Sequence, residues 1–179
     1  MLRLSHLART IIRSQWEPKP YVKANDVSAD ALTNGLSTRG DTLSLWECTK
    51  KKSDIFDIVL AIASSRKSLE PMHIVLIRNT DLKADGITSK IAPEHAITPL
   101  DELKSRHFNL VNLTMTQLCS LAKRIDAKVQ QNSNDLYEFT YHEVLGLLCD
   151  AVKSERLELD ELVNNIRAAV EKELKKERK

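Results

Sequence analysis

Hydrophobic positions change their spacing several times along the chain, and each spacing predicts a different element. In residues 1–17, Leu4, Leu7, Ala8, Ile11 and Ile12 recur at three- and four-residue steps, which is the stripe of an amphipathic helix. Pro18 and Pro20 then break it, because each removes a donor and biases the residue before it toward extended backbone. Residues 27–36 predict a short helix capped by Asp26 or Ser28 and ended near Gly35. From Asp41 the period becomes two, with Leu43 and Leu45 on one face and Thr42, Ser44 and Trp46 on the other, so a strand is expected.

A basic turn leads into a helix capped by Ser53 or Asp54, whose Ile55, Ile58, Val59 and Ile62 share one stripe until Pro71 forbids continuation. Residues 73–77 are an apolar, β-branched run bounded by turn signals, which predicts a buried central strand. Strand, helix and strand at these lengths predict a βαβ unit with its two strands as parallel neighbours. Residues 79–98 predict a long irregular loop, and Thr98-Pro99-Leu100-Asp101 marks a new helix start. A third strand is expected near 108–113.

Beyond that point the pattern is helical. Thr114 with Gln117, and Thr140 with Glu143, each have the spacing of a capping box, and residues 132–135 separate the two helices that follow. The last helix carries Leu159, Leu162, Val163, Ile166, Val170 and Leu174 on one stripe before it fades into a basic end. The expected fold is therefore α/β: a small, mainly parallel sheet of about three strands with covering helices and a C-terminal helical segment. The expected division is a basic amphipathic helix at 1–17, an α/β core at 18–113, and a helical segment at 114–179 packed on or extending from that core.

Composition narrows the class. With 42% hydrophobic and 29% charged residues in 179, neither disorder nor a membrane class is indicated, and the apolar run from Ile58 to Ala63 is far too short to span a bilayer. The net charge of +2 conceals an uneven distribution. Residues 1–24 hold five Lys/Arg against Glu17, residues 165–179 hold six against three Glu, and the stretch between is acidic. The first sixteen residues share the composition of an organellar presequence, but an amphipathic first helix docked on the body is the preferred reading, because short basic helices are common in mature proteins. Three separated cysteines without CxxC or CxxH spacing specify neither zinc nor a disulfide framework, so a reducing, cytoplasmic location is expected.

Chemistry leaves few candidates. The five histidines show no HxxxH or HExxH pairing, and four glycines cannot build a dinucleotide or P-loop fingerprint, so no metal and no cofactor is expected. Cys48, at the end of a strand, lacks the surroundings of a catalytic thiol. Ser37, Thr38 and Arg39 could present two hydroxyls and a guanidinium to a carboxylate or phosphate. Lys50, Lys51, Lys52 and Ser53 stand where a helix N-terminus could accept an anion.

The leading expectation is a non-enzymatic intracellular interaction protein: a subunit, adaptor or inhibitor that binds a protein partner or a second copy of itself. Its terminal helices would do so, with Leu4, Leu7, Ile11, Leu162, Ile166 and Val170 as the partner-binding residues. The first alternative is a small enzyme or binding domain for an anionic or phosphorylated substrate, with Arg39 in the site. The second is weak, non-specific nucleic-acid binding through the basic ends.

Overall fold

The computed structural model describes residues 6–23 and 26–177. Its centre is a six-stranded sheet in the order β4-β5-β2-β1-β3-β6. The strands are β1 (His6–Ile11), β2 (Leu43–Cys48), β3 (Met72–Arg78), β4 (Thr88–Ile91), β5 (His107–Val111) and β6 (Leu136–Phe139). Every neighbouring pair is antiparallel.

This overturns the expectation of a small, mainly parallel, three-stranded sheet. The three expected strands exist as β2, β3 and β5, but β2 and β3 are not neighbours. β1 lies between them, antiparallel to both, with Ala8 opposite Trp46 on one side and Leu76 on the other. The stretch read as an amphipathic helix is thus a central strand from His6 to Ile11. Central position explains the misleading pattern. A strand buried on both faces has no need to alternate, and Leu7 and Ile11 enter one core cluster while Ala8 enters the other.

Helices cover both faces. On one side lie α2 (Lys52–Ala63), α4 (Asp101–Lys104), α6 (Tyr141–Lys153) and α7 (Asn164–Glu177), with α2 packed on α6 and α6 on α7. Their core cluster includes Ile58, Val59, Ile74, Leu76, Leu148 and Ile166. On the other side lie α1 (Arg13–Trp16), α3 (Asn79–Ala84) and α5 (Met115–Gln130), around Leu7, Leu45, Val75, Leu110, Leu121 and Ile125. Both capping boxes form: Thr114 and Gln117 open α5, and Thr140 and Glu143 open α6, each with reciprocal side-chain and backbone bonds. The segment expected to be an irregular loop contains α3, β4 and a single turn of 3-10 helix at Pro93–His95.

Ion pairs join the layers at their margins. Arg106 bonds the Glu47 carbonyl at 3.0 Å and Asp57 at 3.1 Å, and Arg156 bonds Asp57 at 2.7 Å and Glu102 at 2.8 Å. Arg124 grips Asp85 with two bonds of 2.6 and 2.7 Å, tying α5 to the end of α3. The acidic middle of the chain is in this way partly neutralised by its own arginines. Among the described residues, no helix is long and apolar enough to cross a membrane.

Candidate functional site

A groove of about 470 Å³ runs beside β6, the last strand of the sheet. Three elements build it. From α2 come Ile55 and Phe56, from β6 Tyr137 and Phe139, and from α6 Gly146 and Leu147. Antiparallel pleating sends Tyr137 and Phe139 to the same face of β6, toward α2, where the Phe139 ring meets Phe56 edge-on at 5.9 Å. Burial raises the Tyr137 hydroxyl above its ordinary pKa, so it remains a neutral donor and acceptor at the groove wall.

The floor depends on a glycine. Gly146 stands in the middle of α6, and a β-carbon built there meets nothing within 4 Å. Its backbone φ is not in the left-handed region that demands glycine, and a helix-interior glycine costs about 1 kcal/mol relative to alanine. Among the described residues no close neighbour requires a glycine at this position. Its physical consequence is a shallow trough where a side chain would otherwise stand.

The rim is charged, with Glu143 and Asp150 facing a single Lys52, while the Glu138 side chain points to the opposite face of β6. Lys52 lies over the Phe56 ring, 5.2 Å from its centre. Glu138 pairs with Arg13 of α1. The backbone N–H and the hydroxyl of Thr140 donate to the Glu143 carboxylate at 2.8 and 2.9 Å, and these bonds hold that carboxyl below its ordinary pKa. Asp150 is largely exposed.

β6 also has an open edge. The Leu76 N–H donates to the Asp135 carbonyl at 2.8 Å, and Ile74 and Val75 lie opposite Tyr137 and Leu136. Alternation of antiparallel bonding therefore turns Tyr137 and Phe139 toward β3, and Leu136 and Glu138 away from it. The Leu136 N–H is taken locally by the Ser133 carbonyl at 2.9 Å. The N–H and C=O of Glu138 face the free edge, next to the groove.

The residues singled out in the sequence fall elsewhere, with one exception. Ser37, Thr38 and Arg39 lead into a tight reversal in which Arg39 and Thr42 exchange backbone bonds of 3.3 Å. Gly40 and Asp41 between them have φ of 59° and 55°, as a type I′ turn requires. Arg39 is exposed at this turn, whose Asp41 carbonyl accepts from the Leu113 N–H at 3.1 Å. At the start of α2 the lysines diverge: Lys50 and Lys128 both hold Asp135, and only Lys52 reaches the groove. Asp54, in the first turn of α2, accepts from the Thr49 N–H at 3.0 Å. Ser53 is an exposed residue of the first helical turn.

Of the expected partner-binding residues, Leu4 lies outside the described residues. Leu7, Ile11, Leu162, Ile166 and Val170 are buried in the protein's own two core clusters. Cys48 is fully buried, and burial pushes its thiol up to about 12, which leaves it protonated and unreactive. Among the described residues, no group of three or more His, Cys, Asp or Glu is arranged to hold a metal ion.

Comparison with family models, with curated proteins and with solved structures yields no match to this chain. Function is therefore argued from the site alone. The groove was not legible in sequence, since Phe56, Phe139 and Leu147 are far apart in the chain; the one local signal was a glycine inside the otherwise regular helical pattern of 141–153.

Proposed function

We propose that this is a non-enzymatic interaction protein that binds a short extended segment of another polypeptide, added as a strand to β6 with an apolar side chain lodged in the neighbouring groove. The observation that carries this reading is Gly146 at the floor of an aromatic-lined trough beside an open strand edge. Strand addition supplies backbone hydrogen bonds, and a pocket for alternate side chains supplies selectivity. Two carboxylates, Glu143 and Asp150, against one lysine favour a segment with Lys or Arg flanking the apolar anchor. Partner choice thus moves from the terminal stripes, which the core consumes, to one edge of the sheet.

Selection of short random peptides displayed on phage against the folded protein tests this reading. Enriched peptides are expected to pair an aromatic or large aliphatic residue with basic neighbours. They should bind a Gly146→Leu variant at least about tenfold more weakly, a loss of ~1.4 kcal/mol. Peptides that bind Gly146→Leu as well as the parent protein, or a selection that enriches nothing, would refute it.

A further inference from the structure

The open edge of β6 prescribes the pattern of the segment that fills it. Among the described residues of this strand, Glu138 alone presents both its N–H and its C=O outward and unbonded. On either side the edge is partly closed. The Leu136 N–H donates to the Ser133 carbonyl at 2.9 Å. Within the capping box the Thr140 N–H donates to the Glu143 carboxylate at 2.8 Å, and the Thr140 carbonyl accepts from the Val144 N–H at 3.1 Å. An incoming strand is therefore centred on Glu138, with one of its residues directly opposite.

Strand stereochemistry then decides where each incoming side chain goes. Directly opposed residues project from the same face of a sheet and their neighbours from the other, whether the added strand runs parallel or antiparallel. Tyr137 and Phe139 project into the groove, whereas Glu138 lies on the other face, in one row with His73 and Ile11. The two residues that flank the one opposite Glu138 thus enter the groove together. One stands beside Tyr137 and the other beside Phe139, with Phe56, Gly146 and Leu147 also lining the space. The central side chain meets different chemistry: the Glu138 carboxylate, which is 46% exposed and is paired with Arg13 from α1. Across neighbouring strands an opposite charge at this position is favourable and a like charge is not.

We propose that the segment bound at β6 carries a Lys or Arg between two large apolar residues, the basic side chain opposite Glu138 and both apolar ones in the groove. This pattern presupposes strand addition at β6 and adds to it a spacing of two and a central charge. Tyr137-Glu138-Phe139 itself has the spacing with the wrong charge. Two copies of β6 paired around Glu138 would oppose like carboxylates, so the occupant is a different polypeptide.

Synthetic heptapeptides test the pattern. Three have a central Phe, X and Leu, with X as Lys, Ser or Glu; a fourth has the composition of the lysine peptide with Phe and Leu adjacent. Binding is read by fluorescence anisotropy and by exchange of the Glu138 amide. The lysine peptide is expected to bind at least about threefold more tightly than the glutamate peptide. It should exceed the fourth by at least about tenfold, because adjacent apolar residues fall on opposite faces. Glu138→Gln should cut the preference for lysine over glutamate by at least about half, whereas Gly146→Leu should weaken all three and leave that preference intact. Equal binding by the rearranged peptide, or a lysine preference untouched by Glu138→Gln, would overturn the pattern while a protected Glu138 amide left strand addition standing. Binding by none of the four, or self-association that protects the Glu138 amide without peptide, would overturn the proposal together with its premise of a foreign strand.

Discussion

Replacing Gly146 with alanine should stabilise the protein by about 1 kcal/mol. The magnitude follows from three observations. Gly146 lies in the interior of α6, between Tyr141 and Lys153, so it bears the full conformational cost of a helical glycine. Its φ is outside the left-handed region, so alanine adopts the same backbone without strain. The added β-carbon has no neighbour within 4 Å and therefore creates no overlap. For a chain of this length the gain corresponds to a rise of about 2–4 °C in the thermal midpoint, measurable by calorimetry and by the urea midpoint at unchanged m-value. The same methyl group protrudes into the groove, so peptides selected on the parent protein should bind the stabilised variant more weakly. Opposite signs in stability and binding are the signature of a residue kept for an occupant. A fall in the midpoint would show that the fold itself requires glycine at this position and would remove the main support for the groove as a binding site.

Other consequences are equally direct. Gly35→Ala places a β-carbon 2.8 Å from Cζ2 of the buried Trp16 and should cost about 1–3 kcal/mol in urea denaturation; an unchanged midpoint would contradict this packing of α1. The hydrogen bonds from Arg124 hold the Asp85 carboxyl below its ordinary value, so the pair stabilises above about pH 4 and that contribution is lost as pH falls through the folded-state value. Asp85→Asn should therefore be about 1 kcal/mol less stable near neutral pH, with the difference closing in acid; a difference independent of pH would contradict the ion pair. Of the three thiols, only Cys119 is partly exposed, so a thiol-reactive disulfide reagent should modify one group in the native protein and all three in denaturant. Rapid native modification of Cys48 or Cys149 would be inconsistent with their burial.

Local chemistry was readable wherever the chain decides its own conformation. The alternation of Leu43 and Leu45 with Ser44 and Trp46 gives β2, the β-branched run gives β3, and Thr114 and Thr140 open α5 and α6 with the partners their spacing implies. What failed were decisions made by distant residues. His6–Ile11 is a strand because β2 and β3 flank it, and its Leu7, Ala8 and Ile11 imitate a helical stripe by serving two cores at once. Its insertion between β2 and β3 also cancels their parallel pairing. β4 and β6 have only four residues each, too few to establish a period, and they owe their conformation to β5 and β3. The Arg39 cluster enters β2 through a tight turn, and the turn geometry explains Gly40 and Asp41 without a ligand.

Amide hydrogen exchange at Glu138 is the most direct test of peptide docking on β6. In the free protein its N–H faces the open edge of the sheet and should exchange readily. On saturation with a groove-selected peptide that amide should become strongly protected, because an added strand accepts its hydrogen bond, while the amides of β4 at the far edge stay unchanged. A bound peptide that leaves Glu138 exchanging at its free rate would contradict strand addition at this edge.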